Sequence, residues 1–133
     1  MNKILLSIFT LSCLMVNAQT FVSTTPENKN VVLEEFTGIH CTWCPAGHLV
    51  GQQLHDANPG DVVLINIHTG SYANPNAGEP DFRADPLGSG IAGQSSISGY
   101  PAGTINRHLF PGLGQSGGTA MSRSNWASAG GQI

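Results

Sequence analysis

Two cysteines, Cys41 and Cys44, stand at the C-x-x-C spacing and are the residues best able to do chemistry. In an oxidising, exported compartment an isolated pair at this spacing can cycle between dithiol and disulfide. A bridge that closes so short a loop restrains the unfolded chain poorly. Redox use is therefore favoured over a structural staple. His40 and His48 extend the pair to H-C-x-x-C-x-x-x-H, a donor set suited to Cu(I) or Zn. A second C-x-x-C is missing, so metal binding ranks below redox exchange and no metal ligand is assigned. Pro45 occupies the place where c-type haem attachment needs His, and no cofactor is expected.

Elements must deliver these thiols. Residues 31–37 alternate as a strand, with Val31, Leu33 and Glu35 on one face and Val32, Glu34 and Phe36 on the other. Gly38, Ile39 and His40 turn out of it. From Pro45 on, Ala46, Leu49, Val50, Leu54 and Ala57 fall at helical spacing, and Asn58-Pro59-Gly60 stops the helix. This places Cys41 in the first turn of a helix, with Cys44 one turn later. Unpaired N–H groups and the positive dipole end there favour thiolate over thiol by roughly 0.3–2 kcal/mol. Cys41 is thus the expected nucleophile and Cys44 the resolving thiol.

Glu35 lies six positions before Cys41, on the face expected to point inward; Glu34 is expected to face solvent. A buried carboxylate beneath the thiols would have a raised pKa and could shuttle the proton of Cys44. Tyr100-Pro101 precedes a short strand candidate at residues 102–107. A cis X–Pro bond costs only about 0.5–1 kcal/mol, so that turn could shape a substrate groove facing the cysteines. Trp43, between the cysteines, and Tyr100 are the expected substrate contacts.

Residues 62–68 read as a second strand, near-continuously apolar and therefore expected to be central. Strand, helix and strand within about forty residues imply a parallel βαβ unit. Residues 69–99, rich in Gly, Ser, Asn and Pro, form a long insertion or access loop with one short helix around 84–94. After Phe110 the chain is Gly-rich, and SRSNWA reads as the cap and first turn of a helix that does not develop.

The chain has 133 residues, and residues 1–18 read as a secretory signal: Lys3, an apolar run at 4–16, and small residues before Gln19. A competing reading takes Cys13 as a lipoprotein acceptor, although Leu11 sits one place too close and the apolar run continues past it. Residues 19–30 are a polar leader, and 31–133 make one small domain. The mature part has no second long apolar run, so no transmembrane span is expected. Lys29, Arg83, Arg107 and Arg123 are scattered in a chain of net charge −3, too few for a nucleic-acid stripe.

An acid-bearing strand, C-x-x-C at a helix start, a long connection and a Pro-led strand together resemble the thioredoxin superfamily. VVLEEFTGIHCTWCPAGH and SGYPAGTINR are similar to the Omp-twenty-eight-related outer membrane proteins of Bacteroidetes, over about residues 31–107. SRSNWA is a weaker tail match. The resemblance implies an α/β thioredoxin-like sheet with flanking helices. In it Cys41 and Cys44 match the redox pair, Glu35 the buried acid and Pro101 the cis-proline. His40 departs from the pattern, standing where thioredoxins proper carry Trp. The C-terminal strand and helix are expected to be missing, as in a fragment. Protein thiols or disulfides are the implied partners, in the periplasm or outer membrane of a Gram-negative bacterium. The alternative is a non-catalytic cell-envelope binding module, and a Cu(I)/Zn chaperone comes third.

Overall fold

The computed structural model describes residues 29–133. The signal segment, Cys13 and all but the last two residues of the polar leader lie outside the described residues. Among the described residues the strands and α-helices follow in order: β1 (Val31–Thr37), α1 (Cys44–Ala57), β2 (Val62–His68), α2 (Leu87–Gly93), β3 (Ala102–Ile105), β4 (Met121–Ser122) and α3 (Trp126–Gly130). The four strands make one mixed sheet in the order β2-β1-β3-β4. β1 runs parallel to β2 and antiparallel to β3, and β4 runs antiparallel to β3. This α/β arrangement, with helices on both faces, is compatible with a thioredoxin-like sheet.

Two expectations about the sheet are corrected. β2 is an edge strand, with Val63 and Ile65 exposed; β1 and β3 are the inner strands, each hydrogen-bonded on both sides. An apolar run marks β propensity and says nothing of which strand acquires two neighbours. The C-terminal strand and helix are also present, both short. Trp126, fully buried, anchors α3, and its indole N–H donates to the Met121 carbonyl at 3.2 Å. A two-residue strand and a five-residue helix are too brief for any periodic signal to announce them.

One apolar cluster fills the α1/α3 face of the sheet with Leu33, Val62, Ile105, Met121 and Trp126. A smaller one on the other face holds Phe36, Ile67, Ala102 and Ala120, with Ile91 and Ala92 of α2 packed over it. The long insertion thus supplies the cover of that second face.

Because β1 is covered on both faces, Glu34 is buried rather than solvated. It takes two hydrogen bonds from the Arg107 guanidinium and one from the Thr104 hydroxyl. The Arg107 bonds hold its carboxyl below the usual range against the opposing cost of burial. β3 stops at Ile105, two residues earlier than expected, because Asn106 and Arg107 both take positive φ, 51° and 49°. That turn aims Arg107 back at Glu34. Arg107→Ala is expected to cost about 1–3 kcal/mol at neutral pH by leaving a buried carboxylate with only the Thr104 hydroxyl as donor. The loss shrinks as pH falls and Glu34 takes up a proton. Urea unfolding at pH 7 and pH 4 reads both effects.

Candidate functional site

α1 begins at Cys44, not at Cys41, and Pro45 sits in its first turn. Cys41 is held just ahead of the helix by two backbone bonds. Its own N–H donates to the Gly38 carbonyl at 3.1 Å, and the Cys44 N–H donates to the Cys41 carbonyl at 3.2 Å. The preceding residue is pinned as well, with the His40 N–H on the Tyr72 carbonyl at 3.0 Å. Gly38 lies so close to the Tyr72 backbone that any Cβ there would collide with it. Cys41 therefore still faces the positive end of α1, from a turn locked to the insertion.

Cys41 and Cys44 form a disulfide with a Cα–Cα distance of 5.4 Å. Cys44 is 1% exposed and Cys41 7%, so of the two residues Cys41 is the more accessible. Beneath the helix, Glu35 is 3% exposed. Its carboxyl lies against Gly47 and Gly51, which share the inward face of α1 with Cys44. A Cβ on Gly47 would stand 2.5 Å from Glu35 Oε1 and 2.9 Å from the Pro101 ring. Glu35, Pro101 and the Cys44 face of the helix thus converge at one glycine. The Tyr100–Pro101 peptide is cis, as is Asp85–Pro86.

Glu35 Oε1 has no hydrogen-bond partner among the described residues, while Oε2 pairs with His48 Nδ1 at 3.1 Å. Burial pushes the Glu35 carboxyl up to about 7 and pushes the His48 imidazole down from its ordinary value. Both follow from desolvation, which disfavours either charged form.

The two histidines of the suspected metal set are turned elsewhere. His40 Nε2 pairs with Glu79 Oε2 at 2.8 Å, and Asn76 joins them. His48 turns inward to Glu35. No group of three or more His, Cys, Asp or Glu side chains is placed to hold a metal among the described residues.

Trp43 is 65% exposed beside the disulfide. Tyr100 packs edge-on to Tyr72 with ring centroids 5.6 Å apart. Gln115 braces the turn ahead of Pro101, its Oε1 accepting from the Ser98 and Gly99 N–H groups. Neither Gln115 nor Tyr72 stood out in the sequence, since each acts through a long-range contact. Gly47 carried a usable signal: a helix-interior glycine with no cap to explain it implies close approach.

A groove of about 580 Å³ lies at the far end of the molecule, between the second half of α1, α3 and the start of β1. None of the cysteines, Glu35 or Pro101 lines it. Among the described residues no helix is long and apolar enough to cross a membrane.

In comparisons with protein-family models, curated proteins and solved structures, the chain matches none of them.

Proposed function

We propose that this is a thioredoxin-like protein that exchanges thiols and disulfides with protein substrates through Cys41 and Cys44. The observation that carries the reading is the convergence at Gly47, where a buried acid and Pro101 meet the helix face that bears Cys44. The strand order and the antiparallel return of β3 and β4 support the same fold class. More finely, we read it as an exported protein of the Omp-twenty-eight-related type, acting in the periplasm or at the outer membrane. The apolar segment at residues 4–16 and the motifs around the cysteines and Pro101 support that assignment.

In the reducing direction the Cys41 thiolate attacks a substrate disulfide, and one substrate sulfur leaves as thiol. The Cys44 thiolate then attacks Cys41 Sγ, releasing the second substrate thiol and closing the Cys41–Cys44 bond. Glu35 exchanges the Cys44 proton. Trp43, exposed between the two cysteines, and the half-buried Tyr100, next to the cis Pro101, are the contacts assigned to an extended peptide.

The reading is tested by trapping. Cys44→Ala is expected to accumulate mixed disulfides with envelope proteins on non-reducing gels, and Cys41→Ala to form none. If neither variant traps a partner, the non-catalytic binding module replaces it.

A further inference from the structure

His48 is placed to do more than fill space. Its Nδ1 meets Glu35 Oε2 at 3.1 Å, and its Nε2 lies 3.4 Å from the Thr37 hydroxyl. Glu35 and Thr37 are both buried, whereas the His48 side chain is 40% exposed. Glu35 is otherwise closed off by Gly47, Gly51 and Pro101. Its other oxygen, Oε1, has no partner among the described residues and lies on the Gly47–Pro101 side. The carboxyl therefore has one oxygen toward the part of the helix that bears Cys44 and the other on a ring that reaches solvent.

We propose that His48 is the proton relay of the Cys41–Cys44 site, passing between water and Glu35 the proton that Glu35 exchanges with Cys44. This rests on the thiol–disulfide reading above and assigns a residue of this chain to its proton path.

Reduction of the protein's own disulfide shows the balance. A dithiol thiolate attacks Cys41 Sγ, the Cys41–Cys44 bond breaks, and its electron pair leaves on Cys44 Sγ. Glu35 gives that sulfur the proton from Oε1. His48 donates its Nδ1 proton to Oε2, and its Nε2 takes one from water. The second dithiol thiolate then attacks the dithiol sulfur bonded to Cys41. Cys41 leaves as thiolate and the dithiol closes to a cyclic disulfide, oxidised by the two electrons that the protein disulfide gained.

The groups facing the relay are few. Glu35 and Thr37 come from β1, and His68 of β2 pairs in register with Thr37 and adds charge repulsion to any imidazolium at His48. Burial pushes the Glu35 carboxyl up to about 7 and the His48 imidazole down, so both partners favour their neutral forms across the 3.1 Å contact.

The test is stopped-flow reduction of the Cys41–Cys44 disulfide by dithiothreitol in the full chain, followed by Trp43 fluorescence from pH 5 to 9. His48→Ala is expected to slow the step at pH 7 by roughly tenfold, below the 10²–10⁴-fold of a direct acid–base group. Free imidazole in the buffer should restore the rate. His48→Gln keeps a donor for Oε2 but passes no proton, so it should stay slow. Alkylation of Cys41 by iodoacetamide in the reduced variants should match wild type, as a mere disturbance of the helix start would not allow. An unchanged rate in His48→Ala, no restoration by imidazole, or a parallel loss of Cys41 alkylation overturns the relay. Failure of the exchange reading would show in the trapping experiment instead, with this own-disulfide kinetics intact.

Discussion

Replacing Glu35 with Gln is expected to abolish a stability loss of about 3 kcal/mol that wild type suffers between roughly pH 4.5 and pH 7. Burial holds the folded carboxyl at about 7, and in the unfolded chain it returns to its ordinary value of 4.5. Through that window the unfolded state ionises while the folded state keeps its proton, so the unfolded state binds fewer protons. Stability therefore falls with rising pH and levels off once the folded carboxyl has ionised. Gln is nearly isosteric, still pairs with His48, and carries no charge to desolvate. The variant should be more stable than wild type at pH 8 and close to it at pH 4. Its Cys44-dependent chemistry should suffer in exchange, because no acid remains under the helix. Urea denaturation across pH 4–8, on oxidised protein, reads the stability. A parallel pH profile in wild type and Glu35→Gln would mean that Glu35 is not held protonated by burial.

The same substitution, Gly→Ala, is expected to act with opposite sign in the two helices. At Gly47 the new methyl would stand 2.5 Å from the Glu35 carboxyl and 2.9 Å from two carbons of the Pro101 ring. None of these can swing aside: one belongs to a buried acid already held by His48, the others to a closed ring. Overpacking of this kind costs about 1–3 kcal/mol. The gain in helix propensity, up to about 1 kcal/mol, offsets part of it. Gly47→Ala should thus lose about 1 kcal/mol, and up to about 2. At Gly90, inside α2, no atom lies within 4 Å of an added Cβ, so Ala should stabilise by about 0.5–1 kcal/mol. Thermal unfolding of both variants gives the two signs. Gly47→Ala should also slow reduction of the disulfide, since any relief of the clash moves Glu35 or Pro101.

Legibility in the sequence followed the range of the forces involved. Residues 31–37 and 62–68 matched their strands residue for residue, because each is a run of β-prone residues ending at turn signals. Helix α1 was readable from Pro45 to Ala57 through its apolar spacing and its Asn-Pro-Gly stop. The alternation of β1 was enough to set Glu35 on the face opposite Glu34. Alternation alone does not tell that both faces are covered, and by itself it assigns Glu34 to solvent, where the structure buries it. The C-x-x-C pair itself needs no structure to be seen, nor does the Tyr-Pro turn before β3.

What the sequence by itself determined, then, is the local list: a strand bearing an acid, two thiols at a helix start, and a proline leading into a strand. Those are consequences of periodicity and turn chemistry, which act over a few residues. Only the tertiary structure decided which strands lie inside the sheet, that Arg107 neutralises Glu34 across 73 positions, and that His48 pairs with Glu35. Only it decided that Gly47 is the point where the acid, the proline and the helix meet. Such contacts join residues far apart in the chain, and they are settled by how faces pack and what burial does to charge. No spacing rule along the sequence carries that information.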